Sequence, residues 1–485
     1  MGSQDAERHG RQAYAEADIM GQFSVLNSFS VLAYGFELPS HADRDAVAVA
    51  VQTSLAKLVE KIPFLGYQVA TDGSGTRTAE PWPQDVAREG VRIRICDDLI
   101  PSMAELLADK APVSKLDGKV LCPWPALPLP HGIQGPVPIV HLQVNFIRGG
   151  VILNLSAHHT MMDGTADFQF LKLLATVLNG RELDAADVEQ ANRRRDGVVP
   201  LLAEGEPAED CSYLVPPPGW KMTMPTSWPK WAYFMMPEAA LARLADTVRA
   251  ADDKQDGLSK DGLSKDGLSK DGLSKDGLSK DDILSAFYWQ RLCAIRIAQG
   301  APPSTSSKLT RAINARAGLG IPAGYLGAHV SVALVRLPMG RVTGLTVAQL
   351  ARALRQELRR AAAPRTLRSV VTAIARTPPA ARGALLYTGT HDVHADVGCT
   401  NVSRAAVPKG AWGPLGPCRW YRRPDAAPIP GSFRLQEAEG GVHPIAVCLF
   451  EGELKALEQD EAWGKYATCI VSLVDGAVSC SQTRR

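Results

Sequence analysis

Nowhere in the chain do apolar residues run on for the roughly 20 positions that a bilayer-crossing helix needs. The start, Met1-Gly-Ser-Gln-Asp-Ala6, has neither the basic nor the apolar region of a secretory leader, and Ala6 stands where a myristoylation signal needs Ser or Thr. Charge of one sign is also missing. Lys and Arg number 53 against 51 Asp and Glu, so there is no broad positive field for nucleic acid or anionic lipid, and neither is expected as a partner. The nine cysteines are odd in number, widely spaced and free of any C-x-x-C pair. That pattern excludes a disulfide framework and reads as reduced thiols in a cytoplasmic protein. No G-x-S-x-G elbow is present to supply a serine nucleophile. What remains is ordinary globular material: 45% hydrophobic and 21% charged residues over 485 positions. At about 150 residues per domain this length suits three units or two large ones.

The apolar residues Val47, Val51, Leu55, Leu58, Val59 and Ile62 recur three or four apart and stop at Pro63, which predicts an amphipathic helix over 45–62. Residues 137–147 and 151–157 are apolar, rich in β-branched side chains and joined by Arg148-Gly149-Gly150. They read as a hairpin whose second strand points at His158 and His159. A helix carrying Phe168, Leu171, Leu174 and Leu178 follows and stops at Asn179-Gly180, so the histidine pair is expected on a strand-to-helix turn. Prolines 200, 207, 216–218, 225 and 229 punctuate a stretch without periodicity. This predicts domains over 1–196 and 230–485 joined by a crossover at 197–229.

In the second domain five tandem Asp-Gly-Leu-Ser-Lys copies fill 256–280. One leucine per five residues cannot bury a face, so a low-complexity surface loop is expected. Ser279 then caps a helix through Ile283, Leu284, Phe287, Tyr288 and Leu292, and Thr346 caps another whose Arg352, Arg355 and Arg359 read as a solvated face.

The residues with chemistry to offer are His158-His159-Thr160-Met161-Met162-Asp163-Gly164. Neutral imidazole suits removal of a proton from an attacking hydroxyl or amine, since its pKa lies near working pH. A thioester donor is already activated, so one histidine suffices and no enzyme nucleophile is required. Spacing alone leaves a plainer reading open, in which Asp163 merely caps the next helix. No further ligands stand near enough to make the motif a zinc site, and His391, Asp392, His394 and Asp396 read as a polar loop.

The segment 158–164 resembles the HHxxxDG form of the motif shared by BAHD acyltransferases, most nearly the fungal trichothecene 3-O-acetyltransferase group. Other stretches agree in order. Ile62-Pro63-Phe64-Leu65-Gly66 is similar to the family's early helix end and Val144 through Gly150 to its approach hairpin. Asp282-Ile-Leu-Ser-Ala-Phe-Tyr-Trp289 resembles D-A-L-x-A-F-x-W, and Ala312-Ile-Asn314-Ala-Arg316 resembles A-x-N-x-R. The similarity runs along the whole chain.

The resemblance implies an α/β (α+β) fold of two chloramphenicol-acetyltransferase-like domains, with mixed sheets flanked by helices and a channel between them. It implies His159 as the base and Asp163 as the residue that keeps the turn in shape, with His158 and Gly164 completing the motif. It implies acyl-CoA, acetyl-CoA foremost, as co-substrate, no permanently bound cofactor or metal, a small alcohol as acceptor and a monomer. The family's second signature, D-F-G-W-G, falls near residues 409–416, where Trp412 and Gly413 match and the aspartate is missing. In relatives that carboxylate answers an arginine, here expected to be Arg316. Its loss raises a non-catalytic, ligand-binding homologue as an alternative. A condensation-type enzyme fed by a carrier protein is another, since it shares HHxxxDG.

Overall fold

The computed structural model describes residues 17–83, 89–124, 126, 137–195, 197–223, 225–255, 277–403, 407–408, 410–424 and 426–471. The expected repeat loop falls almost wholly outside the described residues, which resume at Gly277.

Three sheets organise these residues. The first has five strands in the order β12 (Cys418–Arg422), β1 (Phe29–Glu37), β7 (Gly150–His158), β6 (Val140–Ile147) and β4 (Val91–Ile95). The second has seven: β10 (Val330–Pro338), β9 (Ser306–Asn314), β11 (Val397–Asn401), β13 (Ser432–Leu435), β14 (Val442–Leu449), β8 (Lys230–Pro237) and β15 (Thr468–Val471). A small third sheet joins β3 (Arg77–Glu80), β2 (Gln68–Thr71) and β5 (Val137–Pro138). Both large sheets are mixed, since β4 runs parallel to β6, and β11 runs parallel to β9 and β13. The architecture is the α/β arrangement of two sheet-and-helix halves that the sequence led us to expect.

Each large sheet has its own core. The first packs the helices Arg44–Lys61 and Gly164–Leu178 over β1, β6 and β7. The second gathers Glu238–Gln255, Lys280–Ala298 and Val347–Ala361 over β8, β9, β13 and β14. β6 and β7 are buried along their whole length, including the polar His141, Gln143 and Asn145 that alternate with apolar residues in β6.

Two expectations need correction. The hairpin's first strand begins at Val140, because Val137 and Pro138 pair with Val69 and Gln68 in the third sheet; Pro138 has no N–H with which to continue the longer ladder. The span 230–485 is also not one continuous unit. β12 returns to the first sheet and pairs antiparallel with β1, while Trp412, Leu415 and Tyr421 enter the first core. Without β12, β1 would be a bare sheet edge with unpaired backbone groups. Between the halves Phe23 and Leu26 pack on Val370 and Ile374 of the helix Pro364–Arg376.

Candidate active site

His159 lies one residue past the end of β7, where the strand turns into the helix Gly164–Leu178. The turn is built from backbone bonds: Met161 and Met162 N–H both donate to His158 O, at 2.9 and 3.0 Å. His158 N–H donates to Ile139 O and His159 N–H to Ser28 O, both at 2.8 Å. The N-terminal segment closes over the turn, with Thr160 Oγ1 donating to Leu26 O at 3.1 Å. A Cβ on Gly21 would come within 2.0 Å of Thr160 O, so only glycine allows the chain to pass there.

The two histidines have different surroundings. His158 is fully buried, packs edge-on against Phe29 at 5.1 Å and finds no hydrogen-bond partner for either ring nitrogen. Burial, with Arg77 and His159 nearby, drives its pKa down to about 3, so it is neutral and apolar in effect. His159 stays partly exposed, and its Nδ1 lies 3.2 Å from Met162 O. A carbonyl oxygen only accepts, so this contact puts the ring proton on Nδ1 and leaves the Nε2 lone pair free. Burial first, then the positive charge of Arg423, lowers the His159 pKa below 6.5. The ring is therefore held unprotonated near neutrality.

Asp163 faces away from that chemistry. Its Oδ1 caps the helix by accepting from Ala166 N–H at 2.9 Å, and its Oδ2 accepts from His329 N–H at 2.8 Å. Arg316 grips both oxygens at 2.8 and 3.0 Å in a bidentate pair and also donates to the carbonyls of Tyr325 and Gly327. Burial would raise the Asp163 carboxyl, but Arg316 outweighs it and the net shift is downward. Arg316, expected to have lost its carboxylate with the missing signature aspartate, is answered after all. Its partner is Asp163, and the missing signature aspartate leaves no arginine stranded.

Trp412 and Gly413 are structural neighbours of the motif. Trp412 is fully buried against Tyr34 and Phe36, at 5.8 and 5.3 Å. Gly413 has φ +52, and a Cβ there would meet Leu178 O at 2.1 Å, while its N–H donates to Asn179 Oδ1 at 3.0 Å. They lock the far end of the helix whose near end Asp163 caps. Gly164 has open space where its Cβ would project, so packing does not demand glycine there.

A second clamp, with no local signature in the chain, lies beside the first. Asp18 accepts from Tyr325 Oη at 2.7 Å and Ala328 N–H at 3.1 Å, and it pairs with Arg195 and with His329 at 3.2 Å. Burial raises its carboxyl, yet Arg195 and His329 overcome this and hold it well below the usual carboxylate range. Arg195 lies over the Phe64 ring at 3.8 Å. Asp18 and Asp163 therefore take the successive amides of Ala328 and His329 and fix β10's approach against the motif. No group of three or more metal-ligating side chains occurs among the described residues.

Comparison with known proteins fits this geometry. The family model described as the trichothecene 3-O-acetyltransferase-like N-terminal domain matches residues 17–177. O-acetyltransferase SAT5 of Stachybotrys chartarum is 32% identical across 95% of this chain and 96% of its own. O-acyltransferase pigD of Monascus ruber is 30% identical across 93% and 98%. The crystal structure of TRI101 from F. graminearum, complexed with coenzyme A and deoxynivalenol, superposes with a TM-score of 0.82 at 21% identity, covering 94% of this chain and 99% of that one.

Proposed function

This chain belongs to the trichothecene 3-O-acetyltransferase-like O-acyltransferases of the BAHD type, and from that premise we propose that it transfers an acetyl group from acetyl-CoA to a hydroxyl of a small secondary metabolite, with His159 as general base. The observation that carries this reading is the His159 ring itself: Nδ1 engaged by Met162 O, Nε2 unencumbered and the ring partly exposed. His159 Nε2 takes the acceptor's hydroxyl proton as the oxygen attacks the thioester carbonyl. The tetrahedral intermediate collapses, the C–S bond breaks, and the departing sulfur receives that proton from His159. Ester and free coenzyme A result, and the imidazole is neutral again. Coenzyme and acceptor are bound together in a channel between the halves; the F. graminearum TRI101 structure, complexed with both coenzyme A and deoxynivalenol, supports their being bound together.

Asp163 and Arg316 serve by holding the turn and β10 together, and Trp412 and Gly413 by anchoring the helix behind it. The functional division is 1–196 against 230–485, with the 411–422 segment lent to the first half. The enzyme acts as a monomer. The buried Cys96, Cys293, Cys399 and Cys448 are free thiols, which supports a reducing, cytoplasmic setting. The binding-only alternative loses its motive, since Arg316 already has its carboxylate.

The test is to incubate the protein with acetyl-CoA and a panel of hydroxylated terpenoids, phenolics and amines, following coenzyme A release and product mass. Wild type acetylates a hydroxyl and His159→Ala does not. Equal turnover by the two proteins would overturn the assignment.

A further inference from the structure

Five arginines are fully buried among the described residues, and each has a carboxylate: Arg195 with Asp18, Arg296 with Glu453, Arg311 with Asp281 and Asp282, Arg316 with Asp163, and Arg422 with Glu439. Arg423 and Arg434 break this pattern. Both are half-buried, neither makes an ion pair or hydrogen bond with any described residue, and the Nε of each is enclosed without a partner.

Their positions bring them together on the side of the catalytic ring. Arg423 directly follows β12, next in the first sheet to β1, which lies beside the β7 strand that delivers His159. Arg434 sits on β13 between Phe433 and Leu435, which both enter the second core. Strand alternation therefore turns Arg434 to the opposite face. It shares that face with its direct partners Thr400 and Ala446 and with Tyr233 beyond, and its guanidinium lies over the Trp231 ring at 5.3 Å. Arg423 is close enough for its charge to bear on Arg434, His159 and Asp167 alike.

The charge of Arg423 bears on one described carboxyl, Asp167, which does not neutralise the pair. It is buried, one of its oxygens has no partner, and burial together with the neighbouring Asp163 keeps it protonated. Two like charges held near each other, half-buried and without a counter-ion among the described residues, repel each other, so the arrangement is stabilised when an anion enters. Guanidinium forks match planar carboxylates.

We propose that Arg423 and Arg434 form an anion subsite that takes a carboxylate carried by the acceptor, beside the hydroxyl presented to His159. The assignment to the acceptor rests on the acyl-transfer reading above. The coenzyme must place its thioester at His159, which leaves its phosphates at the far end of the pantetheine arm. A carboxylate on the acceptor needs only a small-molecule length to reach the arginines.

Two measurements decide it. The first is binding: benzoate, and not its neutral isostere benzamide, raises the melting temperature of wild type with and without saturating coenzyme A, and the rise disappears in Arg423→Gln and Arg434→Gln. No response to benzoate in wild type overturns the subsite. A response abolished by coenzyme A overturns the acceptor assignment in favour of a coenzyme phosphate. The second is turnover of 4-(hydroxymethyl)benzoate against its methyl ester. Wild type prefers the free acid in kcat/KM by roughly 10- to 100-fold, through KM, and either Gln variant brings the ratio near unity while Arg→Lys retains part of it. An equal loss on acid and ester would show a catalytic or structural role instead. If no acceptor turns over, the acyl-transfer reading fails while the benzoate measurement still decides whether the anion subsite exists.

Discussion

Adjacent histidines with opposite environments give the site its directionality. His158 is sealed under Phe29, whereas His159 offers Nε2 to the solvent side, so His159→Ala should lower kcat by roughly 10²- to 10⁴-fold with the fold intact. His158→Ala should cost far less in turnover and more in melting temperature; small, equal effects in the two variants would mean the base lies elsewhere. The lowered His159 pKa fixes the sign of the pH dependence. The unprotonated base persists to more acidic pH than a free imidazole would, so the acid limb of kcat/KM should have its midpoint below 6.5. Arg423→Gln removes a positive charge and should move that midpoint upward; a wild-type midpoint at or above 6.5 would contradict the geometry. Asp163→Asn breaks a buried, bidentate pair and leaves Arg316 uncompensated, with an expected loss of about 3–5 kcal/mol in urea unfolding. Full stability with lost activity would make Asp163 a participant in the chemistry. At this scale the strand-to-helix turn that carries His159 and the cap supplied by Asp163 were legible because type and spacing are local. The Arg316 partner was not, since 153 positions separate it from Asp163, and no pattern within either segment encodes the pairing. Arg423 and Arg434 went unnoticed for the same reason: what distinguishes them is the absence of a partner, which only the packed molecule reveals.

Helices and strands were read best where one periodicity governed them. The Arg44–Lys61 helix, the β6–β7 hairpin and the caps at Ser279 and Thr346 stand close to where apolar spacing and capping residues put them. The face of the Val347–Ala361 helix was misread. Arg355 does not point to solvent; it donates to Asp282 Oδ2 at 2.7 Å, the atom that also accepts from Ser279. Asp282 thus closes the capping box of the Lys280–Ala298 helix and joins it to β9 through Arg311 and to Val347–Ala361 through Arg355. These roles separate by mutation. Ser279→Ala removes a cap and should cost about 1 kcal/mol, whereas Asp282→Ala strands Arg355, leaves Arg311 with Asp281 alone and should cost about 3–5 kcal/mol. Equal losses in chemical denaturation would reduce Asp282 to a helix cap.

At the scale of the whole molecule the site is a meeting of distant segments: Asp18 through Ser28, the motif itself, Arg316 through His329, and the strand β12 that crosses from the second half's stretch of sequence into the first sheet. The proline-rich crossover led to an expected division at 197–229, and the return of β12 to the first sheet was not legible, because a five-residue strand carries no record of its neighbour. This assembly bears on kinetic order. A ping-pong route needs an enzyme nucleophile, and the thiols flanking the altered signature, Cys399 and Cys418, are the ones to consider. Burial pushes both up to about 12, so near neutrality neither supplies a useful fraction of thiolate. Direct transfer is then the remaining course, and it requires coenzyme and acceptor to occupy the space beside His159 together. Initial-rate plots at several fixed acceptor concentrations should intersect, and intact mass after incubation with labelled acetyl-CoA alone should show no added acetyl group. Parallel lines, with a label removed by Cys399→Ser or Cys418→Ser, would replace the single histidine base with an acyl-enzyme and require one buried thiol to be far more acidic than its surroundings make it.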